Sequence, residues 1–268
     1  MRVFITGHKG FIGQNFLKAI PTDWCFSMFD IQDNPCTRPA DLFLDCQNLD
    51  AVIHLGAISS TTETNVQKVM DMNLAWPIEL AEICRAQKIL FQFASSASVY
   101  GNSNKTMTET DKCKPLNIYA KSKFLFEEYL KSLDDKEFCW QALRYFNVYG
   151  KHEKHKGTQA SPFTQFTRQA KEAGVIKIFE GSEHFYRDFI HVEKLIELQL
   201  KLLHSGKTGI FNIGTGKAKS FMEVARDVAM ICDAEIEVIP FPNHLKEHYQ
   251  SYTQASMEKT FSAISSLS

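Results

Sequence analysis

The sequence predicts an α/β protein in which a doubly wound parallel β-sheet carries a smaller lobe near the C-terminus. Short apolar runs rich in β-branched residues recur along the chain, and most of the early ones precede an amphipathic stretch of helical length. Strands that alternate with helices are typical of βαβ units, whose strands pair in parallel. The runs at 51–55 and 89–93 are almost continuously apolar, as expected for central strands buried on both faces.

The individual elements can be assigned in chain order. Strands are predicted at 3–6, 26–30, 51–55, 89–94, 141–146, 175–179 and 209–213. A helix is predicted over 117–132, where Tyr119, Lys123 and two apolar residues recur at three- and four-residue steps. Ser220 and Glu223 have the spacing of a capping box, which predicts the start of another helix. With 268 residues, 44% of them hydrophobic, the chain can bury one α/β core and still form a smaller lobe.

Composition excludes several classes of partner. The 30 basic and 31 acidic residues leave a net charge of -1, which favours neither nucleic acid nor an anionic membrane. The first predicted strand leaves no room for a signal peptide, and no apolar run approaches the roughly 20 residues of a membrane span. The 7 cysteines are scattered without a C-x-x-C pair, which predicts reduced thiols and no metal site. We therefore expect a cytoplasmic protein.

A glycine-rich turn follows the first predicted strand. Gly7, Gly10 and Gly13 occur at three-residue intervals and lead into a helix-compatible stretch. Glycine lets the backbone turn tightly and approach a pyrophosphate, while the helix N-terminus supplies amide donors. This context favours a dinucleotide site, although the spacing alone also fits an ordinary turn.

A carboxylate ends the second predicted strand. Asp30 is placed to hold a ribose 2′-hydroxyl, whereas Arg38, a little further along, is suited to a 2′-phosphate. Asp is also common at strand ends simply as a turn former. From these residues both NAD and NADP remain open.

Three residues in the centre of the chain indicate acid–base chemistry. Ser96 follows the strand at 89–94, and Tyr119 and Lys123 share one face of the predicted helix. A neighbouring ammonium favours the anionic form of a tyrosine, so Tyr119 is a candidate base with Lys123 as its partner. Ser96 can hold the reacting oxygen. A Tyr/Lys pair alone is more often surface packing, but its combination with the glycine turn favours catalysis.

The glycine turn, Ser96 and the Tyr119-x-x-x-Lys123 pattern, in this order, resemble the extended short-chain dehydrogenase/reductase family, which includes nucleotide-sugar epimerases and dehydratases. Within that family the chain is most similar to the ADP-L-glycero-D-manno-heptose 6-epimerases. The resembling segments are 54–63, 115–129, 144–150, 155–157, 179–182, 187–189, 209–216 and 249–254. The resemblance implies a Rossmann-type NAD(P)-binding domain over 1–150, to which part of 183–216 returns, and a mainly substrate-binding lobe over 151–268.

The resemblance also implies an activity. Such enzymes invert a carbon of a nucleotide-activated sugar, here C6 of ADP-glycero-manno-heptose, by transient oxidation to a ketone and return of the hydride. The implied cofactor is NADP, with NAD as the alternative, and the implied assembly is a homo-oligomer. Inversion needs acid–base help on two sides of the carbonyl, and the resemblance assigns this to Tyr119 and Lys156. Ser96 and Lys123 complete the catalytic set.

The same resemblance implies two sets of binding residues and no metal ligand. Those for the cofactor are Gly7, Gly10, Phe11, Ile12, Gly13, Asp30, Arg38, Leu55, Gly56, Ala57, Ser59, Asn73, Tyr119 and Lys123. Those for the substrate are Ser60, Ser96, Asn147, Thr158, Phe179, Glu180, Gly181, Ser182, Arg187 and Tyr249.

The alternatives are another nucleotide-sugar epimerase, dehydratase or reductase of the same family, and a catalytically silent cofactor-binding scaffold. Dehydratases of the family carry an Asp-Glu pair beside the active-site serine, where this chain has Ala97 and Ser98. A catalytically silent cofactor-binding scaffold would have no chemical need for all of Ser96, Tyr119 and Lys123. The stretch after Asp30 is short for a complete helix–strand–helix, and the chain ends soon after 254. We therefore expect a trimmed βα unit beside the adenosine pocket and a shortened substrate lobe.

Overall fold

The computed structural model describes residues 1–33, 48–242 and 251–265. Its main feature is a six-stranded sheet in the order β2-β1-β3-β4-β5-β9, and every neighbouring pair is parallel. The strands are β1 (Arg2–Thr6), β2 (Cys25–Phe29), β3 (Ala51–His54), β4 (Leu90–Ser96), β5 (Trp140–Tyr145) and β9 (Gly209–Ile213). Together with the flanking helices they confirm the predicted Rossmann-type α/β fold.

The strand order creates a switch point between β1 and β3. From β1 the chain goes to β2 on one side, and from β3 it proceeds through β4 and β5 to β9 on the other. In open α/β sheets such a point forms a crevice at the carboxyl ends of the strands, where ligands bind. The trimmed unit expected after Asp30 falls largely on 34–47, outside the described residues.

Helices cover both faces of the large sheet and extend into the smaller lobe. They are α1 (Phe11–Ala19), α2 (Val66–Met70), α3 (Trp76–Gln87), α4 (Ile118–Ser132), α5 (Pro162–Ala173), α6 (Val192–Ser205), α7 (Phe221–Cys232) and α8 (Glu258–Ser265). One π-helical turn, Asp71–Ala75, joins α2 to α3. None of the helices in the described ranges combines the length and apolar character needed to cross a membrane.

Local sequence signals start two of these helices as predicted. The Asn117 side chain caps α4 by accepting from the Ala120 amide at 2.8 Å. Ser220 accepts from the Glu223 amide, and the Glu223 carboxylate accepts from the Ser220 amide, which completes the capping box of α7. Each cap satisfies amides that the first helical turn leaves without an intrahelical partner.

The smaller lobe contains strands that the sequence does not predict. β6 (Asn147–Tyr149), β8 (Tyr186–His191) and β10 (Ala218–Ser220) form a three-stranded sheet in the order β10-β8-β6. β7 (Val175–Phe179) pairs in parallel with β11 (Glu235–Ile239), and α5 and α7 pack against this pair. Their shared core includes Phe166, Ile178 and Val224.

A buried ion pair ties α4 to the sheet. Arg144 on β5 and Glu127 on α4 are both fully buried, and Nη2 donates to Oε2 at 2.6 Å. The Ser95 hydroxyl at the end of β4 donates to the same carboxylate at 2.5 Å. The guanidinium also lies 4.6 Å from the centre of the Tyr100 ring. This buried ion pair therefore fixes α4, β4, β5 and the segment that carries Tyr100 relative to one another.

Removing one partner of this pair is expected to destabilise the fold strongly. In an Arg144→Met variant the Glu127 carboxylate stays buried without its counter-ion, which costs about 3–5 kcal/mol of unfolding free energy. Urea denaturation followed by circular dichroism measures the change. Lys131→Ala is the matched control, because it breaks an exposed pair with Glu128 on the same helix, and a change within about 0.5 kcal/mol is expected. Equal losses in the two variants would contradict the prediction.

Candidate active site

The β1–α1 turn and the segment after β3 approach each other backbone to backbone. Gly7 has φ +73°, and its amide donates to the Phe29 carbonyl at 2.8 Å. A Cβ on Gly7 would lie 2.4 Å from the Gly56 nitrogen, and a Cβ on Gly13 would lie 2.2 Å from the Gly7 carbonyl oxygen. Real side chains do not tolerate such contacts with backbone, so glycine is required at both positions.

The N-terminus of α1 opens onto a cleft of about 430 Å³. Phe11, Ile12 and Gly13, the first residues of the helix, line it together with Gly7 and Gly10. Within the ranges that the structure describes, no side chain caps this helix end, and its first turn holds no acidic residue. Amide donors and the positive end of the helix dipole therefore face the cleft, an arrangement suited to a phosphate group.

Asp30 lines the same cleft at the carboxyl end of β2 and is 6% exposed. Its Oδ2 accepts from the Lys9 amide and its Oδ1 from the Gln32 amide, each at 3.0 Å. These bonds fix the carboxylate beside the glycine turn. The Lys9 ammonium pairs with Asp33 instead. Arg38, the alternative residue for a 2′-phosphate, lies outside the described residues.

The opposite wall follows β3. Five of the predicted residues line the cleft here: Leu55, Gly56, Ala57, Ser59 and Ser60. Asn73, which the resemblance placed at the cofactor, does not line the cleft. Its side-chain oxygen accepts from the Ile58 amide at 2.9 Å, and its side-chain nitrogen donates to the Ile58 carbonyl at 2.9 Å and to the Ser122 hydroxyl at 3.2 Å. Asn73 therefore fastens this wall to α4.

Tyr119 and Ser96 are hydrogen-bonded to each other at the cleft, which Tyr119 lines and Ser96 does not. Tyr119, in the first turn of α4, lines the cleft. Burial raises the pKa of its hydroxyl, and a hydrogen bond from the Ser96 side chain opposes that effect. Ser96 ends β4 and also accepts from the Ser98 hydroxyl at 2.9 Å. Ser96 is connected to the cleft by its hydrogen bond to Tyr119, whereas Ala94 and Ser95 line the cleft directly.

Lys123 is buried one turn further along α4. Its ammonium donates to the Ala94 carbonyl at 2.8 Å and lies 4.3 Å from the centre of the Phe93 ring. Burial lowers the pKa of Lys123 to about 7, against the opposing charge of Glu127. Part of the Lys123 population is therefore already neutral near neutral pH, unlike an exposed lysine.

His54 is a residue of this site that the sequence analysis did not single out. It ends β3, lines the cleft, and shares a 2.7 Å hydrogen bond between its Nδ1 and Thr6 Oγ1. Within the described part of the chain, its buried Nε2 has no hydrogen-bond partner. Burial, followed by the charge of Lys123, lowers the pKa of His54 to about 3, so the ring is neutral.

Lys156 enters the cleft from the loop at 151–160, whose centre is the short 3₁₀ helix Lys154–Gln159. Its ammonium lies 5.1 Å from the centre of the Phe11 ring, and burial lowers its pKa against the opposing charge of Glu153. His155 and Gln159 line the cleft beside it. Thr158, predicted to bind substrate, is exposed and does not line the cleft.

The remaining predicted substrate residues lie in the smaller lobe and are not among the residues that line the cleft. Phe179 ends β7, Glu180 and Gly181 form the following turn, and the Ser182 hydroxyl donates back to the Phe179 carbonyl at 2.5 Å. Asn147 and Arg187 lie on the paired strands β6 and β8. Arg187 is 7% exposed, and its guanidinium lies 5.3 Å from the Phe221 ring. Tyr249 lies outside the described residues.

The chain belongs to the NAD dependent epimerase/dehydratase family, whose model matches residues 3–214. It is similar to the crystal structure of ADP-L-glycero-D-manno-heptose-6-epimerase from Helicobacter pylori, with 26% identity and a TM-score of 0.86 over 98% of this chain and 90% of that one. UDP-glucose 4-epimerase from Thermus thermophilus, complexed with NAD, is also 26% identical, with a TM-score of 0.80 over 98% and 92%.

A third structure shares the fold. UDP-N-acetylglucosamine 4-epimerase from Methanobrevibacter ruminantium, in complex with UDP-N-acetylmuramic acid, is 23% identical with a TM-score of 0.87 over 98% and 91% of the two chains. The family and the Rossmann-type architecture expected from the sequence are therefore confirmed.

The glycine turn offers a test that does not depend on any ligand. A Gly13→Ala variant places a Cβ against the Gly7 carbonyl and the His8 backbone, which is expected to lower the unfolding free energy by about 2 kcal/mol. At Gly10 the nearest atom to an added Cβ is 3.3 Å away, so Gly10→Ala should cost about 1 kcal/mol or less. Urea denaturation of both variants checks the order, and the reverse order would refute it.

Proposed function

We propose that this protein is a nucleotide-sugar epimerase that inverts C6 of ADP-glycero-manno-heptose. The observation that carries the proposal is that Tyr119 and Lys156, on two separate elements, line the same cleft. A second acid–base group is what inversion requires, because one fixed residue cannot serve the substrate oxygen equally well in both orientations. The similarity to the Helicobacter pylori heptose epimerase supports the choice of sugar.

The cleft suits a nicotinamide nucleotide. The glycine turn and the N-terminus of α1 would hold its pyrophosphate, since the backbone there leaves no room for a Cβ at Gly7 or Gly13. Asp30 would accept a hydrogen bond from the adenosine ribose. When bound, this group supplies the hydride acceptor and donor.

The protein's own residues handle the protons. Tyr119 removes the proton of the sugar hydroxyl as the carbon is oxidised, and Ser96 donates a hydrogen bond that favours the Tyr119 anion. The charged form of Lys123, next to Tyr119 on α4, favours the same anion. After the ketone turns over, Lys156 delivers a proton to the oxygen from its new side.

The nucleotide part of the substrate is assigned to the smaller lobe. We propose that Arg187 binds the diphosphate, because a guanidinium presents donors that match phosphate oxygens bidentately. The other proposed substrate residues are Ser60, Asn147, Thr158, Phe179, Glu180, Gly181, Ser182 and Tyr249. In this arrangement the sugar lies at the cleft, beside Ser60.

Epimerisation is tested directly by proton NMR. Wild-type protein, with NAD and NADP supplied, is expected to interconvert the two C6 epimers of ADP-glycero-manno-heptose. Tyr119→Phe and Lys156→Ala should each lower kcat by about 100-fold or more, since each removes a proton-transfer group. Lys154→Ala is the matched control in the same loop, because Lys154 is exposed and does not line the cleft. No interconversion by wild-type protein would refute the proposed function. An unchanged kcat in the variant that combines Tyr119→Phe with Lys156→Ala would refute the assignment of these two residues as the acid–base pair.

The position of Asp30 supports a proposal for the cofactor. A buried carboxylate accepts a ribose 2′-hydroxyl and repels a 2′-phosphate, so we propose NAD, although the sequence resemblance implied NADP. Isothermal titration calorimetry should show NAD binding about tenfold more tightly than NADP, with the preference narrowing in Asp30→Asn. Asp33→Asn, outside the cleft, should leave the preference unchanged. Tighter binding of NADP by wild-type protein would contradict this proposal. It would indicate that Arg38, rather than Asp30, selects the cofactor.

A further inference from the structure

Glu153 lies at the base of the loop that carries Lys156, and its carboxylate is buried. The residue is 2% exposed. Its Oε1 accepts from the Ser161 amide at 2.6 Å, and its Oε2 accepts from the Ser161 hydroxyl at 2.7 Å and the Thr164 hydroxyl at 2.6 Å. Three donors on a buried carboxylate form a strong local anchor, because hydrogen bonds to charged groups are stronger than neutral ones.

The donors belong to the start of α5. Ser161 is the N-cap of that helix and accepts from the Thr164 amide at 3.3 Å. A negative charge is stabilised at this end of a helix by the helix dipole. The anchor therefore joins residue 153 to residue 161 and closes the chain between them into a compact turn.

Lys156 lies inside that turn. Its amide donates to the Glu153 carbonyl at 3.0 Å. On the other side of Glu153 the loop is fastened to α1, because the Asn15 side chain donates to the Lys151 carbonyl at 2.8 Å. The loop is therefore fixed on both sides of Lys156. The hydrogen bonds of Glu153 then determine the direction in which the Lys156 side chain leaves the backbone.

Glu153 also acts on Lys156 electrostatically, because its carboxylate favours the charged form of the lysine. Burial disfavours the charged form of Lys156, and the carboxylate of Glu153 opposes this. The other titratable side chains of the loop are exposed or half-buried. Among the described residues, Glu153 is the charged group that raises the pKa of Lys156.

We propose that Glu153 is a positioning residue that holds the Lys156 loop closed against the N-terminus of α5 and so directs Lys156 into the cleft. This inference rests on the proposed function of Lys156 as the second acid–base group. Glu153 lies outside the set of residues that line the cleft, so it acts through Lys156 and touches neither substrate nor cofactor.

A purely structural cap is the competing explanation, and the chain offers a control for it. Ser220 caps α7 in the same lobe with its own carboxylate partner, Glu223, but carries no loop into the cleft. Ser220→Ala and Glu153→Ala both weaken a helix start. Only Glu153→Ala should move the loop.

The loop itself reports its position through trypsin, which cleaves after Lys151, Lys154 and Lys156. Digestion of the full-length protein, followed by mass spectrometry, should show cleavage at these three sites rising about tenfold in Glu153→Ala, as expected if closure of the loop loses a little over 1 kcal/mol. Thr164→Val removes one of the three donors and should give a smaller rise. Ser220→Ala should leave cleavage at these sites unchanged.

Kinetics with the epimeric sugars give the second readout. In Glu153→Ala, kcat should fall about tenfold with a much smaller change in KM, because proton delivery suffers more than binding. Glu153→Gln, whose amide can still bond to Ser161 and Thr164, should restore most of kcat. NAD affinity should stay at the wild-type value in all variants.

Three results would overturn the inference: unchanged cleavage in Glu153→Ala, an equal rise in Ser220→Ala, or wild-type kcat in Glu153→Ala. If wild-type protein has no epimerase activity but the cleavage pattern follows expectation, the proposed function fails while the hold of Glu153 on the loop stands. Normal wild-type epimerisation with unchanged cleavage in Glu153→Ala refutes the inference alone.

Discussion

The close approach of three backbone segments at Gly7, Gly13 and Gly56 is the constraint on which the site depends. The turn after β1, the first turn of α1 and the segment after β3 come so near that a Cβ at Gly7 or Gly13 would overlap backbone atoms. This contact fixes the helix N-terminus at the switch point of the sheet. The donors of α1 and the carboxylate of Asp30 then face one cleft.

Buried charges fix the other side of the cleft. Lys123, Glu127 and Arg144 are all at most 2% exposed, and such groups are costly to bury unless they are paired or hydrogen-bonded. The Arg144–Glu127 pair, with Ser95 as a third member, holds α4 against β4 and β5. The helix therefore presents Tyr119 and Lys123 in fixed positions, at the expense of a lower pKa for Lys123.

Much of the large sheet could be predicted from the sequence because its strands are simple apolar runs. The predicted bounds of β9 agree with the structure, as do those of β7 in the smaller lobe. The sequence does not predict strand β8, because Arg187 and Asp188 interrupt its apolar character. Burial of Asp188 depends on hydrogen bonds from Thr215, Gly216 and Ala255, which lie far along the chain, so no local pattern reveals it. The three-residue strands β6 and β10 give no periodic signal at all.

In the site, motif spacing predicts the glycine turn, Tyr119 and Lys123. Their relative positions are determined locally, within one turn and within one helix. The resemblance also implies a cofactor role for Asn73, whose side-chain amide in the structure bonds to the backbone of Ile58 in the cleft wall. His54 lies in a run predicted as a buried strand, and its place at the end of a central strand is the signal that it reaches the cleft. The anchor at Glu153 depends on residues that approach only after the loop folds.

The loop at 151–160 is held unequally along its length. Its base has the three buried hydrogen bonds of Glu153, whereas its tip reaches across to the other wall through one exposed bond, from the Gln159 side chain to the Thr62 hydroxyl at 3.2 Å. A single exposed hydrogen bond contributes only about 1 kcal/mol. The contact with Thr62 therefore adds little to the stability of the closed loop, and the position of Lys156 depends mainly on the hydrogen bonds at the base.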